Sequence, residues 1–390
     1  MRQQVYQRGS DAAGQAALPL APRLINIDAL DEADILTAWA DLSANAAETN
    51  AFCEYWFLLP ALRAFAARTN VRLFTLWEMG EGQGRLAGLM PLAREAQYGR
   101  WPLPHIQNWL HPNAFLGVPL VRRGYETAFW NVFLDHVDGH GGQDIFLHLN
   151  GLTIGGALQN ALGEICSAQG RRMELVHRHE RAFLKSELSP QLYYENAMRT
   201  KKRKELRRQK NRLAELGTLS FNRAADDEGL EVWIDEFLTL ERRGWKGQKS
   251  SAMDCADETR SLFRQALTGA ARQGKLERLD LRLDKKPIAM LVNFICQPGS
   301  FSFKTAFDED YARYSPGVLL QIENLDLLLR GDVQWCDSCA AEGHPMIDSL
   351  WTERRAIGRY SLAIGGRARR AIFALLLQAE TAKMERKRVS

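Results

Sequence analysis

The first half of the chain switches between helical and strand-like spacing of its apolar residues. Phe52–Ala67 shows helical spacing, whereas Val71–Glu78 and Gly84–Leu92 alternate on either side of a Gly-rich turn. Beyond them the pattern predicts a helix over Tyr125–Asp138, a strand over Asp144–Leu149 and a helix over Ala157–Gln169. A mixed order of this kind predicts an α/β domain.

The second half repeats this order of elements. The pattern predicts strands over Thr218–Arg223, Leu276–Asp284, Ile288–Cys296 and Ser300–Phe307, helices over Gly229–Arg243, Asp257–Gln273 and Pro316–Leu329, and a further strand that starts at Gln334. The run Asp284-Lys285-Lys286-Pro287 has the composition of a hairpin turn. We therefore expect a second α/β domain after the first.

A basic segment lies between the two halves. It carries eight Lys and Arg residues between Lys201 and Arg212, while Leu206, Leu213 and Leu216 keep helical spacing and Gly217 is expected to cap the helix. Two interpretations remain open. The helix binds phosphates of coenzyme A, of a nucleotide- or lipid-linked sugar or of the inner membrane surface, or it is a solvated connecting helix.

The chain length supports this division. With 390 residues the chain exceeds the size at which one hydrophobic core keeps growing, so two domains are expected. We predict five segments: a disordered segment 1–22, an N-terminal domain 23–192, the basic connecting helix 193–217, a C-terminal domain 218–365 and a C-terminal helix or tail 366–390.

Composition and charge narrow the class of protein. Hydrophobic residues make up 46% and charged residues 25%, and the net charge of +4 is too small to indicate DNA binding by the whole protein. The sequence shows no secretory signal and no apolar stretch long enough to span a bilayer, and its six cysteines are scattered. We therefore expect a cytoplasmic protein without a bound metal. For the single CxxC pair, Cys336 and Cys339, packing is favoured over redox or metal chemistry.

The segment from Phe303 to Glu323 is the most informative for chemistry. A strand ends there, a polar turn follows, and Ser315-Pro316-Gly317 opens an apolar helix. The free N–H groups and the dipole of such a helix start favour a negatively charged ligand. Arg313, Ser315, Gly317 and Val318 are thus candidates for holding an anionic donor, although the same pattern is also that of an ordinary capped helix.

This stretch, FKTAFDEDYARYSPGVLLQIENLDLLL, resembles the CelD/BcsL-type GNAT acetyltransferases associated with bacterial cellulose and exopolysaccharide loci, together with RKELRRQKNRLAELG, Gly244-Trp245-Lys246-Gly247 and LDKKPIAMLVNF. The resemblance is strong over residues 190–360. It implies two tandem GNAT-like domains fused as in the FemAB-type aminoacyltransferases, each a mixed, mostly antiparallel sheet flanked by helices, and an acyl-CoA donor. The family's pyrophosphate signature is not intact, since only a basic residue and one glycine remain in Arg313–Gly317.

Candidate catalytic residues follow from acyl transfer. Lys304 on the strand faces either solvent or a cleft; in a cleft it would stabilise negative charge on the thioester oxygen. The reaction removes a proton from the nucleophile and returns one to the leaving thiolate. Asp308 or Glu309 is the candidate base and Tyr311 or Tyr314 the candidate acid, unless water serves instead. Trp245 and Lys246 are candidates for acceptor binding, and core packing of Trp245 is the alternative.

The sequence leaves three functions open. The favoured one is N- or O-acyl transfer, with acetyl as the favoured acyl group, from acyl-CoA to a small polar or sugar acceptor such as an exopolysaccharide precursor. The second is FemAB-like transfer from aminoacyl-tRNA, with the basic helix contacting RNA phosphates. The third is a degenerate, non-catalytic GNAT pair in polysaccharide biosynthesis.

Overall fold

The computed structural model describes residues 18–29, 33–66, 70–80, 84–244 and 252–389. Contacts between Cα atoms divide the chain into two compact units. Unit 1 comprises residues 1–55, 65–178 and 357–390, and unit 2 comprises residues 56–64 and 179–356. Each unit therefore includes segments that are distant in sequence. The five predicted segments follow chain order and remain a prediction.

Unit 1 is built on one set of strands in the order β1-β2-β3-β4-β6-β13. These are β1 (Leu20–Asn26), β2 (Arg72–Glu78), β3 (Arg85–Glu95), β4 (His105–Asn108), β6 (Phe146–Thr153) and β13 (Glu353–Ala363), with the short β5 (Leu120–Val121) paired to β3. All pairs are antiparallel except β4 with β6. The helices of this unit are α1 (Ala33–Ala44), α3 (Glu126–His140), α4 (Ala157–Ala168) and α10 (Arg367–Val389).

Unit 2 has strands in the order β8-β9-β10-β11-β12-β7. These are β7 (Met173–Leu184), β8 (Leu219–Ala224), β9 (Leu276–Leu283), β10 (Lys286–Cys296), β11 (Gly299–Phe307) and β12 (Trp335–Asp337). The helices are α2 (Tyr55–Phe65), α5 (Pro190–Ala197), α6 (Thr200–Ala214), α7 (Leu230–Arg243), α8 (Asp257–Arg272) and α9 (Pro316–Glu323). Again every pair is antiparallel except one, β11 with β12.

The two units thus share one strand topology of six strands. The first four pair antiparallel, the fourth and fifth pair in parallel, and the fifth and sixth pair antiparallel. In each unit the final strand pairs with a strand that is distant in sequence, β13 with β6 in unit 1 and β7 with β12 in unit 2. The predicted fold class, α/β with mixed, mostly antiparallel strands flanked by helices, is confirmed.

Aromatic rings form much of the core on one face of the unit 2 strands. Phe294 and Phe303 lie with their ring centroids 4.9 Å apart, and Phe57 from α2 packs against both. Gly269 of α8 allows close approach here, because an added Cβ would lie 2.8 Å from the Cβ of Trp56. Burial of each such ring stabilises the fold by about 1.5–3 kcal/mol, so α2 is held firmly in unit 2.

The basic helix is shorter than its sequence pattern indicates. The segment 193–217 contains the end of α5 and all of α6, which stops at Ala214 with Glu215 as its C-cap. Gly217 is therefore not the cap that we predicted. An added Cβ there would lie 2.2 Å from the Asp284 carboxylate, which also accepts a hydrogen bond from the Thr218 N–H at 2.8 Å, so the glycine permits this contact.

Two further differences concern element ends. Strand β1 begins at Leu20, inside the segment 1–22 predicted to be disordered, while residues 1–17 lie outside the described residues. The predicted helix Pro316–Leu329 consists of α9 followed by a 3₁₀ segment, Asn324–Leu329. Among the helices that the structure describes, none is long and apolar enough to cross a membrane.

Candidate functional site

Strands β11 and β12 run together only briefly. They pair in parallel at three positions, from Gly299 with Trp335 to Phe301 with Asp337. Beyond this point β12 ends, whereas β11 continues to Phe307. The parallel pair therefore opens after Phe301, and the second half of β11 leads directly to the turn and helix that the sequence singled out.

Lys304 lies in this second half of β11, just after an irregularity. Ser302 pairs with Asn293 of β10 and Lys304 pairs with Val292, so Phe303 is an extra residue in β11. Such a bulge reverses the alternation of side chains. Lys304 consequently shares a face with Phe303, and its Nζ lies 5.6 Å from the centroid of the Phe303 ring. The side chain is half-buried.

Asp308 ends the strand and begins the turn. Its carboxylate accepts a hydrogen bond from the Asp310 N–H at 3.1 Å and one from Lys286 Nζ at 2.8 Å. The hydrogen bond with Asp308 raises the pKa of Lys286. Asp308 is buried and acts as the N-cap of the 3₁₀ segment Glu309–Tyr314. These contacts give Asp308 a structural role, and its predicted role as a base remains a prediction.

The helix α9 starts from a strained residue. Ser315 has φ 55° and ψ 48°, the left-handed region that residues other than glycine seldom occupy. Its N–H bonds to the Ala312 carbonyl and its own carbonyl accepts from the Leu319 N–H. Pro316 follows as the first helical residue. Gly317 and Val318 are therefore the positions whose N–H groups belong to the open first turn of the helix.

The side chains around this helix start are mixed in exposure. Arg313 is exposed, and its guanidinium carbon lies 4.7 Å from the centroid of the Tyr314 ring. Tyr314 is buried in a cluster with Leu213 of α6 and with Leu319 and Leu320 of α9. Val318 is half-buried and packs on a second cluster. Arg313 is thus exposed beside the start of α9, whereas Pro316 and Gly317 are buried and the ring of Tyr314 lies in the core.

Gly317 has a packing reason of its own. A Cβ at this position would lie 3.0 Å from the sulfur of Met346 and 3.3 Å from the Phe307 ring. The sequence pattern suggested that the glycine lets a phosphate approach the backbone. Its contact with Met346 and Phe307 already accounts for a small residue here, so the role in phosphate binding remains a prediction.

The predicted acceptor residues Trp245 and Lys246 lie outside the described residues. Gly244, the last described residue before them, is close to the turn after β11. An added Cβ on Gly244 would lie 3.2 Å from the Oε1 atom of Glu309. Gly244 therefore lies beside Glu309, in the 3₁₀ segment that follows β11.

A buried polar network crosses the unit 2 strands on the face opposite the aromatic rings of Phe294 and Phe303. Gln321 of α9 donates to Thr305 at 3.3 Å and accepts from Asn324 at 3.2 Å, and Asn293 donates to both Asn324 and Glu277. Buried polar groups normally need such partners. The sequence patterns did not predict this network. The available signal was a polar residue inside an apolar run, as with Asn293 in Leu291–Cys296.

A second feature that the sequence did not predict lies where β12 ends. The fully buried carboxylate of Asp337 accepts hydrogen bonds from Arg181 at 2.7 Å and from Arg355 at 3.0 Å, and from the Cys339 N–H at 2.9 Å. Burial alone would raise the pKa of Asp337, but the two guanidinium groups lower it overall. This ion-pair cluster lies at the point where β11 and β12 separate.

The CxxC pair behaves as packing. Cys336 and Cys339 are both free and buried, and burial raises the pKa of each thiol. A protonated, buried thiol is a poor nucleophile and a poor metal ligand. Within the described ranges no group of three or more His, Cys, Asp or Glu residues is arranged to hold a metal ion.

A cavity of about 430 Å³ lies elsewhere in unit 2, against β8, β9 and α7. Several of its charged residues are already paired: Asp280 accepts from Asn222 and Trp233, and Arg282 bonds to Glu236. It is remote in the strand order from the opening between β11 and β12 and contains none of the predicted site residues.

Comparison with known families and structures agrees with this geometry. Residues 200–344 match the family model described as an acetyltransferase (GNAT) domain, and this range contains α6, β11, α9 and β12. No curated protein matches the sequence of the chain. The open parallel pair thus lies inside the matched segment.

Several solved structures are similar to most of the chain. FemX aligns with a TM-score of 0.54 at 9% identity, covering 84% of this chain and 95% of that one. A conserved protein of unknown function from Bacteroides thetaiotaomicron aligns with a TM-score of 0.52 at 10% identity, covering 84% and 97%. A tandem GNAT protein from the clavulanic acid biosynthesis pathway aligns with a TM-score of 0.41 at 17% identity, covering 89% and 99%. The fold of the chain is thus similar to that of FemX, and the GNAT domain match lies within residues 200–344.

Proposed function

We propose that the protein is an acyltransferase that moves an acyl group, acetyl in the simplest case, from acyl-CoA to an amine or hydroxyl of a polar acceptor. One observation carries the proposal: the parallel pair β11–β12 opens after three residues, and β11 leads through a short turn into the start of helix α9. The match of residues 200–344 to the GNAT domain model supports it.

The residues at the start of α9 fit the phosphates of coenzyme A. The N–H groups of Gly317 and Val318 lie in its first turn, where the helix dipole also favours a negative charge. The exposed guanidinium of Arg313 precedes them by a few residues and adds a flexible cation. Together these groups would hold the pyrophosphate, while the extended arm of the donor would follow β11 toward its middle.

Lys304 is the residue that we assign to the reaction itself. The acceptor nitrogen or oxygen attacks the thioester carbonyl, the carbon–sulfur bond breaks, the acceptor loses a proton and the thiolate gains one. The ammonium of Lys304 would stabilise the negative charge that develops on the carbonyl oxygen. Water, Asp308 or Tyr314 would move the proton, and Trp245 and Lys246 would bind the acceptor. A cytoplasmic location fits the use of an acyl-CoA donor.

The resemblance to CelD/BcsL-type proteins suggests the acceptor class. It favours a sugar or an exopolysaccharide precursor, since polar acceptors of this kind carry several hydroxyl groups and often an amine. Both N- and O-acyl transfer fit the same donor site. A panel of amino sugars and neutral sugars, assayed with acetyl-CoA by release of free thiol, would separate the two.

Calorimetric titration of the full-length chain with acetyl-CoA, free CoA and longer acyl-CoAs tests the donor. We expect saturable heat with acetyl-CoA and with CoA, and weaker binding by Arg313→Ala at an unchanged melting temperature. Lys285→Ala, an exposed lysine of the β9–β10 turn, is the matched control. Absence of heat with every CoA species would contradict the proposal and favour a non-catalytic module. Salt-sensitive binding of aminoacyl-tRNA in the absence of CoA binding would instead favour aminoacyl transfer.

A further inference from the structure

Helix α6 carries a row of cations with no ionic partner in the described part of the chain. Lys201, Lys202, Lys204, Arg207 and Arg212 are all exposed, and we call them the basic face. None of the five forms a salt bridge with any residue that the structure describes. The other three cations of α6 do: Arg203 with Glu195, Arg208 with Glu205 and Lys210 with Glu323.

The basic face is not needed to hold α6 in place. Leu206 is buried in one apolar cluster and Leu213 in another, so the helix is anchored by its apolar side. Glu205 is the one acidic residue of the helix. The hydrogen bond from Arg208 and then the charges of Arg208, Lys202 and Arg212 lower the pKa of Glu205. The basic face therefore creates a positive field that one carboxylate does not balance, and its cations repel each other.

The shape of the basic face indicates an extended partner. Lys201 and Arg212 are separated by about 16 Å along the helix at about 1.5 Å per residue. At about 100° per residue, Lys201, Lys204, Arg207 and Arg212 fall within about 140° of the helix circumference on the side away from Leu206 and Leu213, and Lys202 lies outside this arc. One phosphate group would engage only one or two of the five cations. A broad negative surface is needed to engage all of them.

Exposed leucines that flank α6 in the sequence distinguish between two kinds of surface. Leu192 of α5 is 52% exposed and Leu216, just after the end of α6, is 48% exposed. An interfacial lipid environment accommodates leucines beside cations. Binding of an RNA would be expected to use exposed aromatic rings for stacking, but Tyr193 is buried and Tyr194 is half-buried. We propose that the basic face docks the protein on an anionic lipid surface.

The strength of this docking follows from its charges. Each Lys or Arg close to an anionic membrane strengthens binding about fivefold, so the five together contribute about three orders of magnitude. The attraction weakens as salt shortens the screening length from about 10 Å at 0.1 M to about 3 Å at 1 M. Binding should therefore be strong on anionic vesicles at low salt and lost at high salt.

Cosedimentation of the full-length chain with vesicles tests this proposal. We expect binding to vesicles that contain phosphatidylglycerol and none to pure phosphatidylcholine. The triple variant Lys201→Glu, Lys204→Glu and Arg207→Glu should bind at least about 100-fold more weakly, because each change removes one attraction and adds a repulsion. The melting temperature should stay the same, since all three side chains are exposed.

The matched control makes the same change in net charge elsewhere. Arg123, Arg272 and Lys285 are exposed and lie outside α5 and α6. With all three changed to Glu, binding to anionic vesicles should fall less than about threefold. An equal loss in both triple variants would show a net-charge effect only and would overturn the proposal.

Two other outcomes would also overturn it. Wild-type protein that ignores anionic vesicles but binds a transfer RNA through the basic face would make this face a nucleic-acid surface. Wild-type protein that ignores the vesicles, with acetyl-CoA affinity reduced by the basic-face variant, would assign these cations to the donor. Loss of acetyl-CoA binding alone, with vesicle binding intact, would instead contradict only the proposed acyl transfer.

Discussion

Each unit contains one parallel pair of strands, and the two pairs end differently. In unit 1, β4 pairs with β6 from His105 to Gln107 and then stops at Asn108. In unit 2, β11 pairs with β12 over an equally short stretch but then continues to Phe307. A shared topology therefore produces an opening in only one of the two units.

The end of the unit 1 pair is filled by the chain itself. The side-chain amide of Asn108 donates to the carbonyls of Gly117 and Asn150, both at 2.8 Å, and its oxygen accepts from the Asn150 N–H at 2.7 Å. The Gly117 N–H bonds to the Gly151 carbonyl at 2.9 Å. The comparison shows that a shared strand topology does not by itself create an opening between the paired strands; the segment that follows the parallel pair decides.

Among the variants that test the difference between the two parallel pairs, loss of the Asp337 carboxylate should have the largest effect. Asp337→Asn leaves Arg181 and Arg355 buried without a carboxylate, so we expect the free energy of unfolding to fall by about 3–5 kcal/mol. Chemical denaturation of wild type and variant measures the difference. An effect below about 1 kcal/mol would show that the ion-pair cluster does not hold the separation of β11 and β12.

The stability difference between wild type and Asp337→Asn should depend on pH with a defined sign. Because the folded state lowers the pKa of Asp337, its carboxylate stabilises the fold above the unfolded pKa of about 3.9. That stabilisation is lost as the pH falls through the lower, folded pKa. The stability gap between wild type and Asp337→Asn should therefore be full near neutral pH and should narrow only in acid below about pH 4.

Removal of the Lys304 ammonium tests whether the opening between β11 and β12 serves the proposed acyl transfer. If Lys304 stabilises charge on the thioester, Lys304→Ala should lower kcat/KM by about 100-fold with little change in the melting temperature. Lys304→Arg, which keeps the charge, should retain more activity. Lys285→Ala should leave activity unchanged. Equal activity of Lys304→Ala and wild type would remove this residue from the mechanism.

A side chain added at Gly117 tests how tightly the end of the β4–β6 pair in unit 1 is packed. An added Cβ would lie 1.9 Å from the Asn150 carbonyl oxygen, a backbone atom that cannot move aside cheaply. Gly117→Ala should therefore lower the free energy of unfolding by about 2 kcal/mol. Gly155→Ala is an unsuitable control because of its positive φ, whereas Gly139→Ala in α3 meets no atom within 4 Å. The latter should be neutral or slightly stabilising.

The exposed guanidinium of Arg313 gives the smallest expected change. Arg313→Ala should weaken binding of acetyl-CoA by about tenfold, as expected for loss of one charged hydrogen-bonding group. Arg313→Lys should weaken it less. Calorimetric titration measures both. Unaltered affinity in Arg313→Ala would show that the start of α9 holds the donor without this side chain, or that the donor binds elsewhere.

Local signals in the sequence predicted much of unit 2. Asp284 and Lys285 were predicted to form the β9–β10 turn, and both have positive φ there, 49° and 70°. The same kind of signal identified the Pro316 helix start and the strand before it. Turns, caps and alternation depend on a few neighbouring residues, so they can be recognised without knowledge of the rest of the fold.

Features that depend on distant partners were not predictable in this way. The bulge at Phe303 arises from the register between β10 and β11, and it decides the face on which Lys304 lies. Gly217 resembles a helix cap, but its neighbour Asp284 is distant in sequence. The Asp337 cluster likewise joins residues from three separate segments, of which Arg181 is one. Local sequence patterns do not predict contacts between residues that are distant in sequence.

The exchange of segments between the two units has a consequence during synthesis. Unit 1 uses residues 357–363 as its last strand, and unit 2 uses residues 56–64 from the N-terminal half. The ribosome must therefore release almost the whole polypeptide before the first unit can close. A gene fragment cut near the middle would encode neither unit in full, and a nascent chain would depend on chaperones for longer than two independent modules would.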